Sequence, residues 1–212
     1  MEDKASDIDP AGRVDCHRQG PIVSAAVKIT QLDIPGLLLI IPKRFEDSRG
    51  YFTELYNEKL LADAGAPSRF VQDNFSISRK KGTVRGLHYQ IPPRQQAKLV
   101  RVSRGRILDV ALDLRPSSAS FGKHICRELS AENGEQIFIP AGFAHGFCTL
   151  ENDTEVVYKV SDFYAPQAEH GVLWSDPDLN ISWPVEPQQA TVSEKDAKLP
   201  PFKDMQRHFV NI

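Results

Sequence analysis

The sequence predicts a mainly β fold, a jelly roll (double-stranded β-helix) with a few short helices, on three observations. From Lys28 onward, apolar residues recur at every second position or in runs of strand length. Gly, Pro, Asn and Asp separate these runs, and helical periodicity is nearly absent. Many short strands leave sheet edges to be managed, and two sheets folded face to face around a ligand-sized interior are one solution.

Taken in order, residues 1–27 read as a flexible extension, acidic and interrupted by Pro10, Gly12 and Gly20. An edge strand through residues 22–29 is the alternative, because the alternation there allows it. Residues 28–212 read as a single domain with a wrapping C-terminal segment. Residues 37–41 (LLLII) form a buried strand closed by Pro35-Gly36 and Pro42. Residues 57–64 form one short helix: Leu60 and Leu61 lie within a turn of Asn57 and Ala64, and Gly65 supplies the stop. Residues 98–102 and 106–114 alternate with period two, 136–139 end at Pro140, and 156–160 continue the pattern. The tail from Trp183 holds Pro184, Pro187, Pro200 and Pro201, so it wraps the body as irregular chain with a turn of helix near residues 193–196. Two turns, 103–105 (SRG) and 132–135 (ENGE), put glycine between strand candidates and predict hairpins of adjacent antiparallel strands.

Composition removes several functions. The 212 residues hold 26 Lys plus Arg against 28 Asp plus Glu, a net charge of −2 that lacks the footprint of a nucleic-acid binder. An anionic ligand must therefore be held by a few placed cations. The longest apolar stretch is five residues, against roughly 20 for a membrane span. The first twenty residues lack the basic start and apolar stretch of a signal peptide. Cys16, Cys126 and Cys148 are odd in number and share no metal-binding spacing, which fits a reducing cytoplasm.

The chemistry-bearing residues cluster. Residues 85–90 (RGLHYQ) are followed by Lys98, ten positions after His88, and by Arg101. On a strand, Gly86, His88 and Gln90 share one face while Leu87 and Tyr89 take the other, and Lys98 and Arg101 oppose each other. A lone histidine of this kind is usually a hydrogen-bonded core residue; the clustering argues for more. Residues 139–147 (IPAGFAHGF) bring His145 back after a turn set by Pro140 and Gly142. This resembles the second half of the cupin pattern, whose first half places His-x-His, then glutamate, five residues after a glycine. Gly82 and His88 meet that spacing, yet Gln90 stands at the next ligand position and no glutamate lies between Gln90 and Leu112. A neutral amide is a poor transition-metal ligand, so a cupin-like barrel without metal is expected. A weak site on His88 and His145 is the competing reading.

Ordered motifs carry a more specific resemblance: residues 45–54 (FEDSRGYFTE), 70–74 (FVQDN), 85–90, 98–101 (KLVR), 109–115 (DVALDLR), 129–133 (LSAEN), 139–147, Tyr158-Lys159 and 193–196 (SEKD). From about Ile29 to Pro201 the chain resembles the dTDP-4-dehydrorhamnose 3,5-epimerase family. The resemblance implies a homodimeric, cofactor-free enzyme of dTDP-rhamnose biosynthesis acting on dTDP-4-dehydro-6-deoxy-D-glucose. It implies His88 as general base, Asp196 as its paired carboxylate, Lys98 facing the keto oxygen and Tyr158 as the acid on the opposite face. It assigns nucleotide and phosphate contacts to Arg49, Glu54, Gln72, Asp73, Asn74, Arg85, Glu169 and Lys195, with His145 near the sugar or phosphate. Arg49 and Glu54 are expected to reach in from the partner subunit. Phe75, where many relatives carry histidine, and Ala97, where glycine is usual before the lysine, depart from the pattern; Phe75 is expected to alter the wall near the sugar. A C3-only epimerase and a non-catalytic nucleotide-sugar-binding jelly roll are the alternatives, and His88, Asp196 and Tyr158 together argue against the latter.

Overall fold

The alternating runs form two antiparallel sheets. The computed structural model describes residues 22–24, 26–66 and 69–210. Among these the strands are β1 (Ile22–Val23), β2 (Val27–Gln31), β3 (Leu38–Pro42), β4 (Phe45–Asp47), β5 (Gly50–Phe52), β6 (Gln72–Ser78) and β7 (Val84–Gln90). There follow β8 (Lys98–Arg104), β9 (Arg106–Asp113), β10 (His124–Ser130), β11 (Gln136–Ile139), β12 (Phe143–Thr149), β13 (Thr154–Val160) and β14 (Glu169–Gly171). The first sheet runs β1-β2-β3-β11-β8-β13-β6 and the second β10-β9-β12-β7-β14, while β4 and β5 form a separate hairpin. This is the expected mainly β jelly roll.

Period two decides what each sheet buries. Val100, Val102, Ile107, Phe143, Phe147 and Val156 fill the space between the sheets. The outer face of the first sheet presents Leu38, Ile40, Leu99 and Phe138, covered by Leu61 of helix α1 (Glu58–Asp63). Asn57 begins that helix, its Oδ1 accepting the Leu60 N–H at 3.2 Å, a cap typically worth about 1 kcal/mol. The outer face of the second sheet presents Leu87, Tyr89, Val110 and Leu112, covered by Val172, Leu179 and the tail residue Phe209. The tail carries 3-10 turns at Asp196–Lys198 and Phe202–Asp204.

Two expectations are corrected. The turns at 103–105 and 132–135 are not hairpins: β8 and β9 lie in different sheets, as do β10 and β11. Gly105 (φ 77°) and Gly134 (φ 65°) do adopt the left-handed backbone foreseen, but they carry the chain across the edge of the sandwich. The extension expected over residues 1–27 ends earlier, because β1 pairs with β2 and Val27 is a buried strand residue. The alternative of one edge strand through 22–29 is not what forms either: β1 and β2 run antiparallel, Ile22 opposite Ile29 and Val23 opposite Lys28, so the chain folds back on itself; residues 1–21 lie outside the described residues.

Candidate active site

The interior is apolar at one end of the sandwich and polar at the other, where a cavity of about 490 Å³ is lined by Arg85, His88, Lys98, His145, Tyr158 and Asp196 among others. A smaller lobe of about 120 Å³, sharing His88, Lys98 and Tyr158, continues to Gln72, Asn74, Tyr164 and Glu169. Each side chain arrives there by strand periodicity. On β7 His88 faces inward while Leu87 and Tyr89 pack outward. The register of β12 against β7 sets His145 opposite His88. On β8 Lys98 leads the inward row of Val100 and Val102, and on β13 Tyr158 follows Val156.

The paired strands β7 and β12 approach closely here. A Cβ on Gly86 would stand 2.6 Å from the His145 carbonyl oxygen and 2.7 Å from Gly146 Cα, and Gly86 has φ +110°, so only glycine fits. The pairing slips by one residue between His145 and Phe147. That bulge re-aims the strand, and Arg85 lines the same cavity as His88 despite the odd spacing. Its Nε donates to Ser78 Oγ at 3.1 Å and Nη2 to the Ile77 carbonyl at 3.2 Å.

Two histidine–carboxylate pairs result. His88 Nε2 lies 2.7 Å from Asp196 Oδ1, and Asp196 Oδ2 accepts the Gly86 N–H at 3.1 Å. Burial of Asp196 works against its ionisation, but hydrogen bonds from His88, Gly86 and Ser193 overcome this and hold its carboxyl below the ordinary value. His145 Nε2 lies 2.7 Å from Asp109 Oδ2, both side chains buried. Burial pushes the His145 imidazole down, with the Asp109 charge and hydrogen bond opposing. Asp109 had no role assigned from sequence. Its signal was an acid on the inward row of β9 between Ile107 and Ala111, both buried in the central core, a position that demands a partner.

Lys98 is buried, and burial lowers its ammonium to about 8 against the pull of Asp109 and Glu169. Its Nζ donates to the His88 carbonyl at 3.2 Å. Burial raises the Tyr158 phenol above its ordinary value, the Arg85 charge working against this. Glu169 accepts from Tyr164 Oη at 2.7 Å and pairs with Lys195 Nζ. These contacts overcome its burial and keep it ionised. Tyr164 went unnoticed in the sequence, since nothing local distinguishes a rim tyrosine from a packing one.

Three expected residues stand elsewhere. Arg49 sits in the β4–β5 turn with its side chain 88% exposed and paired to Asp47 at 2.6 Å. Glu54 accepts from Asn57 Nδ2 at 3.1 Å beside α1. Asp73 is corrected: Gln72 and Asn74 line the cavity lobe, so Asp73 between them faces the other way and pairs with Lys159 at 2.9 Å. Phe75 shares that outward parity and is 62% exposed, so it does not line the cavity of its own chain. The residues do not suit the metal of a cupin site: the side chain at the second ligand position is the neutral Gln90 amide, whose Nε2 donates to the Arg94 and Phe163 carbonyls. Among the described residues no three His, Cys, Asp or Glu side chains gather for a metal ion.

The family model described as dTDP-4-dehydrorhamnose 3,5-epimerase matches residues 31–204. An enzyme of that name from Shigella flexneri is 48% identical over 179 residues, 84% of this chain and 97% of the relative. The Bacillus anthracis dTDP-4-dehydrorhamnose 3,5-epimerase, solved with TDP and PPi bound, superimposes with TM-score 0.80 at 45% identity, covering 83% of this chain and 99% of that one. The dTDP-6-deoxy-D-glucose-3,5-epimerase of Legionella pneumophila, solved with dTDP-4-keto-L-rhamnose, gives TM-score 0.81 at 40% identity over 87% and 97% of the two chains.

Proposed function

The chain belongs to the dTDP-4-dehydrorhamnose 3,5-epimerase family, and from that premise we propose how its own residues carry the reaction. It is an isomerase that inverts C3 and C5 of dTDP-4-dehydro-6-deoxy-D-glucose to give dTDP-4-dehydro-L-rhamnose, a step of dTDP-rhamnose biosynthesis. The C4 ketone acidifies both flanking C–H bonds, because the carbanion delocalises onto the keto oxygen as an enolate. The change is redox-neutral and needs a base on one face, a positive group at the oxygen and an acid on the other face.

His88 is the base, and the observation that carries this is its 2.7 Å contact with Asp196 inside the cavity that also holds Lys98 and Tyr158. Imidazole suits proton abstraction near neutral pH, and such assistance is typically worth about 10²–10⁴-fold. Asp196 fixes the ring and favours the imidazolium that forms. Lys98 sets a buried charge where the enolate oxygen develops, the place where electrostatic stabilisation is strongest. Tyr158 returns the proton from the opposite face. Arg85 and Lys195 take the diphosphate, the guanidinium suiting paired phosphate oxygens. Gln72, Asn74, Glu169 and His145 complete the contacts.

The active form is a homodimer, in which Arg49 and Glu54 reach the partner's cavity. In support, the β4–β5 hairpin holds Arg49 away from its own cavity and exposes Phe45, Tyr51 and Phe52. Cys126 and Cys148 are unpaired thiols, which suits a reducing cytoplasm; among the described residues no helix is long and apolar enough to cross a membrane. The test is NMR of the purified protein with dTDP-4-dehydro-6-deoxy-D-glucose: conversion to dTDP-4-dehydro-L-rhamnose supports the assignment, and unchanged substrate refutes it.

A further inference from the structure

Between β13 and the 3-10 turn at Pro166–Ala168, residues 162–165 run along the rim of the cavity outside any strand. Backbone groups without a ladder need other partners, and three glutamines supply them. Gln96 Nε2 donates to the Asp162 carbonyl at 2.7 Å. Gln90 Nε2 donates to the Phe163 carbonyl at 3.2 Å and the Arg94 carbonyl at 2.6 Å, while Gln90 Oε1 accepts the Ala165 N–H at 2.8 Å. Gln72 Oε1 accepts the Tyr164 N–H at 3.1 Å. Gln90 is only 4% exposed, and both its amide hydrogens are used on backbone. The opposite amide orientation would press its oxygen against two carbonyls. The segment so held carries Tyr164, which lines the cavity lobe and donates to Glu169.

We propose that Gln90 is a positioning residue that acts through Tyr164: by clamping residues 163–165 it keeps the Tyr164–Glu169 wall formed, and so sets substrate affinity without taking part in proton transfer. This rests on the epimerase reading above. It also accounts for an amide at the position where a cupin would place a metal ligand: the side chain must donate twice and accept once, which neither imidazole nor carboxylate does.

The Gln90→Glu substitution tests this with little change of shape. Ionised, the new carboxylate has no hydrogen for the Phe163 and Arg94 carbonyls; protonated, it supplies one. Burial among carbonyls favours the protonated form, so the defect is expected to grow as pH rises. Relative to wild type at the same pH, KM for dTDP-4-dehydro-6-deoxy-D-glucose should rise less than threefold at pH 5.5 and at least tenfold at pH 7.5, with kcat within threefold at both. Gln90→Met should raise KM at both pH values, and in a Tyr164→Ala background it should add less than twofold. Gln96→Ala, at a part-exposed position, should raise KM severalfold with kcat retained, and it serves if the Gln90 variants fail to fold. A fall in kcat at constant KM, an undiminished Gln90→Met effect without Tyr164, or an unchanged KM in Gln96→Ala overturns the proposal. Wild-type protein that leaves the substrate unchanged refutes the epimerase reading itself, a separate result.

Discussion

His88 Nε2 and Asp196 Oδ1 meet at 2.7 Å across 108 residues of sequence, joining an inner strand of the second sheet to a 3-10 turn of the tail. The tail therefore completes the proposed base–carboxylate pair as well as covering the sheet behind it. Asp196→Asn keeps the shape and removes the charge that favours imidazolium. It should lower kcat by about 10²-fold or more with KM little changed, as read by steady-state kinetics.

Lys98 leads to a pH prediction. Burial lowers its ammonium to about 8, and the enolate needs the charged form, so kcat/KM should fall as pH rises through about 8. Lys98→Met should cost about 10²–10³-fold. Lys98→Arg, whose guanidinium stays protonated, should lose the alkaline limb that begins near 8, whatever its residual rate. A pH–rate profile of the three proteins decides the point.

Tyr158 is assigned the second proton transfer alone. Tyr158→Phe should still exchange substrate hydrogen with solvent while product formation drops about 10²-fold. Deuterium in recovered substrate, measured beside turnover, separates the two; unchanged turnover removes the acid role.

Acid stability is tied to Asp113, a fully buried carboxylate bonded to Arg115, Ser118 and Ser120. Burial opposes its ionisation, but these partners prevail and lower its pKa in the fold. A carboxyl depressed in the folded state contributes stability above its unfolded value, about 3.9, and that contribution is lost as pH falls through the folded value. Asp113→Asn should cost about 3 kcal/mol at pH 7, and the difference from wild type in urea unfolding should shrink below about pH 4.

How much of this was legible in the sequence depends on the range of each signal. Period-two alternation is local, and it located β8, β9, β11 and β13 and the split between His88 and Tyr89. The short helix followed from Asn57 and Gly65. The glycines of 103–105 and 132–135 foretold the backbone conformation but not the destination, because a left-handed residue turns the chain without stating which sheet the next strand joins. Applied one strand earlier, the same alternation would have put Asp73 on the face opposite Gln72 and Asn74. Arg85 reaches the cavity through a bulge, and a one-residue register slip leaves no mark in composition. The His145–Asp109 and Gln90–Ala165 contacts join distant segments and became visible only once the strands were paired.

The central claim is that His88 abstracts the protons at C3 and C5. Converting dTDP-4-dehydro-6-deoxy-D-glucose in deuterated water and reading the sugar by proton NMR tests it most directly. Deuterium at both carbons with wild-type protein, and at neither with His88→Ala that still binds dTDP, is the predicted result. Label at C3 alone, or exchange that persists in His88→Ala, would contradict it.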